Sequence, residues 1–474
     1  MVMTKALLLF LSILLFSACA PFAPAEQVRP VVNISRQATA IPTPTTQIIP
    51  VTCIDIEANW GKDWPALLNV LKQLIEADQS CGPEPLLSKK YAAHYIYGVA
   101  LEEQGQPEQA IAQYQAALSI DPRRQEALNA LFRLDALPKP TPPNCLSLSD
   151  PLPDPAPAEA PDPSLFVTVQ GDQLQLAGQP FKVKGLNYYP RHAPWARFFD
   201  EAEPAKMAQE LDLIQQAGFN TIRVFLWYKP LFTCRPEDAI PNETTFALVD
   251  TLVQLARERN LKLIMTLNDL PDLMFRPLYT DFAHYDAQTI YLVRRYRNEP
   301  AILAWDMRNA SDADYSGDGA PFSQAEVLQW LEHVTGLIRE HDPYHLLTAS
   351  WDGDPTVTEP YVDIVSFQHW AEADTLQARL QDYKAKNSKP LLLEAAGFHS
   401  WAEAPDDPQD EQKQAGKLAQ VTHLVEAEDM AGWVLWTAFD FVPSPGWPPT
   451  SDHFFGLWRV DLTPKPALEQ LPLN

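Results

Sequence analysis

The sequence predicts an α/β protein in which a closed (β/α)8 barrel follows a smaller all-α region. From Phe166 onward, eight short apolar strands alternate with amphipathic segments, a pattern typical of a parallel barrel. Residues 53–136 instead have apolar side chains at helical spacing. The chain contains 45 prolines against 17 glycines, which favours stiff proline-rich linkers between these regions over flexible ones.

The N-terminal segment has the pattern of an export signal. The apolar stretch Ala6–Phe16 is shorter than the ~20 residues that a spanning helix needs. Small residues then precede Cys19, which resembles the bacterial lipobox, in which the cysteine is lipidated and becomes the new N-terminus. Residues 1–19 are therefore predicted to be a lipoprotein signal peptide, and residues 20–52 a Pro/Thr-rich tether.

An ordinary secretory signal, cleaved near Ala18 or Ala20, is the alternative interpretation. In both cases the mature protein is exported, and lipidation would hold it on a periplasmic or cell-surface membrane. The formal net charge of −25 and the pI near 4.7 disfavour nucleic acid and other polyanionic partners.

Residues 53–136 are predicted to form a helical domain. Asp63 starts one helix, because an acidic cap precedes a proline in the first turn. The residues spaced as in a tetratricopeptide repeat are Gly98, Leu101, Gly105, Ala110, Tyr114, Ala117 and Pro122. The resemblance implies protein contact or spacing, and it makes Arg124–Leu134 a capping helix.

Four further cysteines permit three disulfide connectivities in an exported protein. Cys53 and Cys81 flank one predicted helix, which favours a disulfide between them; Cys145 and Cys234 are the other two cysteines. Buried free thiols are the alternative. No Cys/His spacing is typical of a metal site, and we expect no cofactor.

A second proline-rich linker, residues 137–165, precedes the barrel of residues 166–474. The alternating stretch Phe166–Val183 predicts a hairpin that closes the bottom of the barrel. The barrel strands are predicted within residues 183–189, 220–227, 261–269, 302–309, 345–350, 363–370, 390–397 and 432–440. The functional site of such a barrel lies at the C-terminal ends of these strands.

Those strand ends resemble the motifs of clan A glycoside hydrolases, closest to family 5, over roughly residues 166–470. The segments GLNYYPRHAPW, NTIRVFLW, ILAWDMRNASD, GWVLWTAFDF and FFGLWRVDLTPKPA follow one another in the family's order. The resemblance implies that Arg223 supports the catalytic nucleophile and that Trp436 forms a sugar platform. It implies a polysaccharide or oligosaccharide as the ligand.

Both catalytic positions of this family are altered. Retaining glycosidases need two carboxyl groups ~5–5.5 Å apart. The family's acid/base glutamate follows the fourth-strand Asn, but here Ala310 follows Asn309. The family's nucleophile stands two residues before the seventh-strand Gly, where this chain has Ala395.

Glu394, the residue before the altered nucleophile position, is the alternative nucleophile. Strand alternation is expected to turn it away from the barrel mouth, because adjacent residues point to opposite faces. A β-bulge would turn it inward. Of the other acids, Asp306 is expected to form a buried ion pair with an arginine, and Asp312 to cap a loop or bind a hydroxyl.

The sixth strand also departs from the family, which has His-x-Tyr where this chain has Gln368-His369-Trp370. Aromatic side chains at strand ends either stack on sugars or pack in the core. The positions expected to contact a sugar are Asn187, Tyr189, Arg223, Trp227, Asn309, Gln368, His369, Trp370 and Trp436.

Three functions remain open from the sequence. The first is an inactive barrel that binds a glycan or a protein. The second is a working hydrolase of β-glucan or mannan-type glycans that uses Glu394 in an altered site. The third is a scaffold in which the helical repeats matter and the barrel binds nothing.

Overall fold

The computed structural model describes residues 51–77, 79–81, 86–120, 127, 130–131, 134, 136, 154–157, 159–234, 238–269, 278–279, 281–316, 320, 322–404, 407–443 and 449–473. The leader with Cys19, the tether to residue 50, Cys145 and most of the predicted capping helix lie outside these residues. The chain divides into two compact units, with the boundary near residue 141.

The first unit is helical, as predicted. Its helices are α1 (Ile54–Asn59), α2 (Trp64–Glu76), α3 (Leu86–Glu103) and α4 (Pro107–Ile120). The α2 helix begins at Asp63, whose carboxylate accepts the Ala66 backbone N–H at 3.0 Å. A disulfide joins Cys53 to Cys81, the pair that the sequence favours.

Close packing of α3 on α4 explains one glycine of the repeat pattern. A Cβ atom at Gly98 would lie 2.5 Å from the Tyr114 ring, which is fully buried. A larger residue at position 98 would therefore push the two helices apart.

The second unit is a closed barrel of eight parallel strands. They are β1 (Val183–Asn187), β2 (Thr221–Phe225), β3 (Lys262–Thr266), β4 (Ile302–Asp306), β5 (Leu346–Trp351), β6 (Ile364–His369), β7 (Leu391–Ala396) and β8 (Gly432–Leu435). Neighbours along the chain are neighbours in the sheet, and β8 pairs with β1. The predicted fold is therefore confirmed.

Six long helices pack around the strands. They are α5 (Pro204–Gln216), α6 (Glu243–Glu258), α7 (Ala283–Tyr296), α8 (Gln324–His341), α9 (Ala373–Lys386) and α10 (Glu411–Ala427). Between β5 and β6 the structure has the 3-10 helix Pro355–Thr358 in place of the predicted α-helix.

A three-stranded antiparallel sheet (Val167–Gln170, Gln173–Leu176, Gln179–Phe181) precedes the barrel. Its Val167 and Leu174 pack against Val183, Leu346 and Ile364, the first residues of three barrel strands. The predicted closure of the barrel bottom is present, which leaves the opposite end for a site. No helix in the described ranges is long and apolar enough to cross a membrane.

Candidate functional site

Arg223, in the middle of β2, is the centre of a polar network inside the barrel. Its Nη2 donates to Asp306 Oδ2 at 2.6 Å and to Asn309 Oδ1 at 3.1 Å, while Nη1 donates to Asn187 Oδ1 at 3.2 Å. Arg223 is 1% exposed and Asp306 is fully buried. The buried ion pair expected for Asp306 is present, and it links β1, β2 and β4.

The Asp306 carboxylate has hydrogen bonds on both oxygens. Thr266 Oγ1 donates to Oδ2 at 2.6 Å, and the Ser350 backbone N–H donates to Oδ1 at 3.2 Å. These donors satisfy the buried Asp306 carboxylate and hold it in place. Asp306 therefore orients Arg223 and does not reach the mouth of the barrel.

Strand β7 contains a β-bulge at Glu394. The pairing with β6 shifts there, so that Gln368 pairs with Ala395 and Glu394 is left as an extra residue. The expectation that alternation turns Glu394 away from the interior is wrong, since its Oε1 lies 3.2 Å from Arg223 Nε. The Asn187 amide donates to the Glu394 carbonyl at 3.1 Å, which fixes the bulge against β1.

Burial controls the protonation of Glu394. Its side chain is fully buried, and this burial, with a smaller effect of the Asp306 charge, raises its pKa to about 8. The Arg223 guanidinium opposes this rise without cancelling it. Near neutral pH Glu394 is therefore mostly an uncharged carboxylic acid below the mouth.

Ala310 and Ala395, which the motif resemblance assigns to the family's catalytic positions, lie after β4 and near the end of β7. Ala395 pairs with Gln368 in register, so both side chains share the inner face of the barrel. Ala310 follows Asn309 in a left-handed backbone conformation, with φ of 50°, directly before the 3-10 helix Ser311–Asp314. Neither methyl group can donate or accept a proton.

A line of hydrogen bonds runs from the network to the surface. Gln368 Nε2 donates to Asn309 Oδ1 at 2.8 Å and to Ser350 Oγ at 3.0 Å. The Trp370 indole N–H donates to Gln368 Oε1 at 3.1 Å, and Trp370 is 42% exposed. The structure thus brings Arg223, Asn309, Gln368 and Trp370 together at one end of the barrel.

Trp436 directly follows β8 and is partly exposed. Its ring packs edge-on against Phe225 and Phe441, with centroids 6.0 Å and 6.5 Å away. These two contacts fix the indole orientation, and the exposed part of the ring is available to a ligand in the mouth.

Three further predicted contact residues are buried. His369 is 1% exposed and its Nδ1 accepts from Arg379 of α9 at 3.1 Å. Tyr189 is buried in the barrel wall. The Trp227 indole N–H donates to Asp269 at 2.9 Å, and the ring is 6% exposed.

Asp312 caps a loop, one of the two roles that the sequence suggests. It accepts the backbone N–H groups of Asp352 and Gly353, the latter at 2.6 Å. Burial nevertheless raises its pKa above the ordinary value. Among the residues the structure describes, no group of three His, Cys, Asp or Glu side chains is arranged as metal ligands would be.

Sequence reasoning missed a cavity beside the mouth. It has a volume of about 190 Å³ and lies behind Gly397, the residue after β7, where Phe398, His399 and Phe455 contribute to its walls. The aromatic run Phe398–Trp401 directly after the seventh strand was the only sequence signal for it.

The family model for cellulases of glycosyl hydrolase family 5 matches residues 174–436, more than half of the chain. The chain belongs to glycosyl hydrolase family 5. A tetratricopeptide-repeat model also matches residues 91–124, which confirms the resemblance seen in α3 and α4.

Several relatives of the family 5 barrel are mannanases by name. Mannan endo-1,4-beta-mannosidase 8 of Oryza sativa is 26% identical over 229 residues, which cover 40% of this chain and 57% of the rice protein. Mannan endo-1,4-beta-mannosidase A of Hypocrea jecorina is 24% identical over 222 residues, 41% of this chain and 48% of that protein. The chain thus spans about half the length of these relatives.

A solved β-D-glucuronidase from Dictyoglomus thermophilum superimposes with a TM-score of 0.50 at 16% identity, covering 64% of this chain and 52% of the other. At that identity the similarity concerns the fold alone.

Proposed function

We propose that this protein is an exported, lipid-anchored family 5 barrel that binds a β-linked mannan-type or glucan-type glycan and does not hydrolyse it. The observation that carries the proposal is the pair of alanines at the acid/base and nucleophile positions, Ala310 and Ala395. The sugar platform and the orienting groups, Trp436, Asn309 and Arg223, are retained around them.

Retaining hydrolysis needs a proton donor and a nucleophile at the sugar's anomeric centre. Alanine supplies neither. Losing general acid–base help alone costs ~10²–10⁴-fold in rate. Loss of the nucleophile removes the covalent route as well.

Glu394 does not replace the missing nucleophile. It is fully buried, and its raised pKa, about 8, leaves it mostly protonated at neutral pH. The Glu394 carboxyl group lies 3.2 Å from Arg223 Nε and has no exposed surface from which to attack a sugar in the mouth. Asp306 is also fully buried and is paired with Arg223. The alternative of an active hydrolase built on Glu394 is therefore disfavoured.

The helical unit extends the proposal to a second partner. A tetratricopeptide repeat presents a helical surface suited to protein contact. In the proposed arrangement, the anchor holds the protein at a membrane, the barrel holds a glycan, and the repeat recruits or spaces a protein.

Hydrolysis of β-1,4-mannohexaose, measured by mass spectrometry of the products, tests the catalytic part of the proposal. The wild-type protein is expected to leave the hexasaccharide intact over a day, and so is Glu394→Gln. The double variant Ala310→Glu/Ala395→Glu is expected to gain weak hydrolysis. Wild-type turnover that disappears in Glu394→Gln would contradict the proposal.

Membrane attachment through Cys19 has its own test. The variant Cys19→Ser, expressed in a bacterium, is expected to move the protein from the membrane fraction to the soluble exported fraction. Wild-type protein that is already soluble, with an N-terminus at Ala20 or later, would overturn the lipid anchor and leave the glycan-binding proposal intact.

A further inference from the structure

We infer that the cavity behind Gly397 is a binding pocket for one neutral sugar ring, beside the strand-end site and sharing Trp370 with it. This inference deepens the proposed glycan binding and rests on it. The cavity has a volume of about 190 Å³ and is partly open to solvent, so it can take one ring while the rest of a glycan chain extends outside it.

The aromatic walls of the pocket are fixed by their own contacts. The ring centroids of Phe455 and His399 are 5.7 Å apart at 67°, and the Lys417 ammonium lies 5.2 Å above the Phe398 ring centroid. Trp370, which is 42% exposed, forms the side nearest the mouth. Such rings accept the C–H faces of a sugar.

Gly397 keeps the pocket next to the mouth. A Cβ atom at this position would lie 2.4 Å from the Trp436 carbonyl oxygen and 3.0 Å from the Phe455 ring. The Phe455 ring therefore packs directly against the backbone that follows β7. The pocket begins at Gly397, the residue after Ala396.

The hydrogen-bonding groups of the pocket wall belong to His399, Asp407 and Gln409. His399 Nδ1 accepts the Trp401 backbone N–H at 3.3 Å, so the proton of the neutral imidazole is on Nε2. That Nε2 lies 3.7 Å from Asp407 Oδ2, and Gln409 Nε2 donates to Asp407 Oδ1 at 2.5 Å. A ring with neighbouring hydroxyls can donate to Asp407 and accept from His399.

The charges favour a neutral ligand over an acidic one. Lys417 is already paired with Glu372, at 3.0 Å. Burial lowers the pKa of His399, so the ring is uncharged near neutral pH. Asp407 is negative and would repel a carboxylate. Asp407 would therefore repel the carboxylate of a sugar acid, whereas it would accept a hydrogen bond from the hydroxyl of a neutral sugar.

Calorimetric titration of the full chain with β-1,4-mannotetraose tests the pocket through Asp407, because its carboxylate contacts His399 and Gln409 and its side chain is 69% exposed. We expect Asp407→Ala to raise Kd about tenfold, the loss of one hydrogen bond to a charged acceptor. Asp172→Ala, the same change in the exposed hairpin turn, is the matched control and should leave Kd unchanged. Trp370→Ala should also weaken binding.

Two outcomes separate the pocket from the proposed function. If Asp407→Ala binds as wild type while Trp436→Ala binds weakly, the pocket inference is overturned and glycan binding at the mouth stands. If wild-type protein binds no neutral oligosaccharide, both fail. A trigalacturonate that binds more tightly than mannotetraose would overturn the choice of a neutral ring.

Discussion

At the residue scale, Glu394 and Arg223 decide what the barrel can do. Motif order placed Arg223, Asn309 and the two alanines correctly at one end of the barrel. Strand alternation predicted the wrong face for Glu394, because a β-bulge adds one residue at that point and leaves no sequence signal. The buried pairing of Asp306 was predictable, since a charged residue inside an apolar strand needs a partner.

The pH dependence of stability tests the state of Glu394. The folded protein keeps the Glu394 proton up to a pKa of about 8, whereas the unfolded chain releases it near 4.5. Wild-type stability should therefore fall relative to Glu394→Gln as pH rises from 5 to 8, by up to ~1.4 kcal/mol per pH unit.

Urea denaturation at four pH values measures this difference. The exposed change Glu332→Gln on α8 is the control, and its difference from wild type should stay flat. A Glu394→Gln difference that is equally flat would mean that Glu394 is ionised in the fold, which reopens its role as a nucleophile.

At the element scale, the segment that closes the barrel depends on one buried ion pair. Lys465 Nζ lies 2.7 Å from Asp440 Oδ1, and Lys465 is fully buried at its side chain. It also donates to Ser400 Oγ at 2.9 Å. The sequence predicted this segment by family resemblance, whereas the pairing needed coordinates, because the two residues are far apart in the chain.

Breaking that pair should destabilise the barrel. Lys465→Met leaves Asp440 buried without its cation, and we expect a loss of about 3 kcal/mol in the free energy of unfolding. The same substitution at Lys386, whose pair with Asp382 is exposed, should leave the free energy of unfolding nearly unchanged. Equal losses in the two variants would show that the closing segment is not held by Lys465.

The connection between β5 and β6 is a place where the alternation of strands and helices predicted from the sequence does not hold. Eight strands were predicted in the right places because each is a short apolar run bounded by polar residues. The connection after β5 was expected to contain a helix by analogy with its neighbours. The structure instead has the 3-10 helix Pro355–Thr358 there, a departure that strand spacing alone does not predict.

At the scale of the whole molecule, a family 5 barrel and a helical repeat unit share one chain with a predicted lipid anchor. The fold and domain order followed from composition, periodicity and motif order. The cavity behind Gly397 did not, because its walls come from Trp370 after β6, the loop after β7, α10 and the segment near Phe455, and their meeting depends on packing.

Isothermal titration of the full chain with β-1,4-mannohexaose tests the central claim most directly, because one trace reports both binding and turnover. Our account predicts a saturable heat of binding after each injection and a return to the original baseline, with the hexasaccharide recovered intact. A sustained displacement of the baseline with shorter products, or no heat at all for mannan and glucan oligosaccharides, would contradict it.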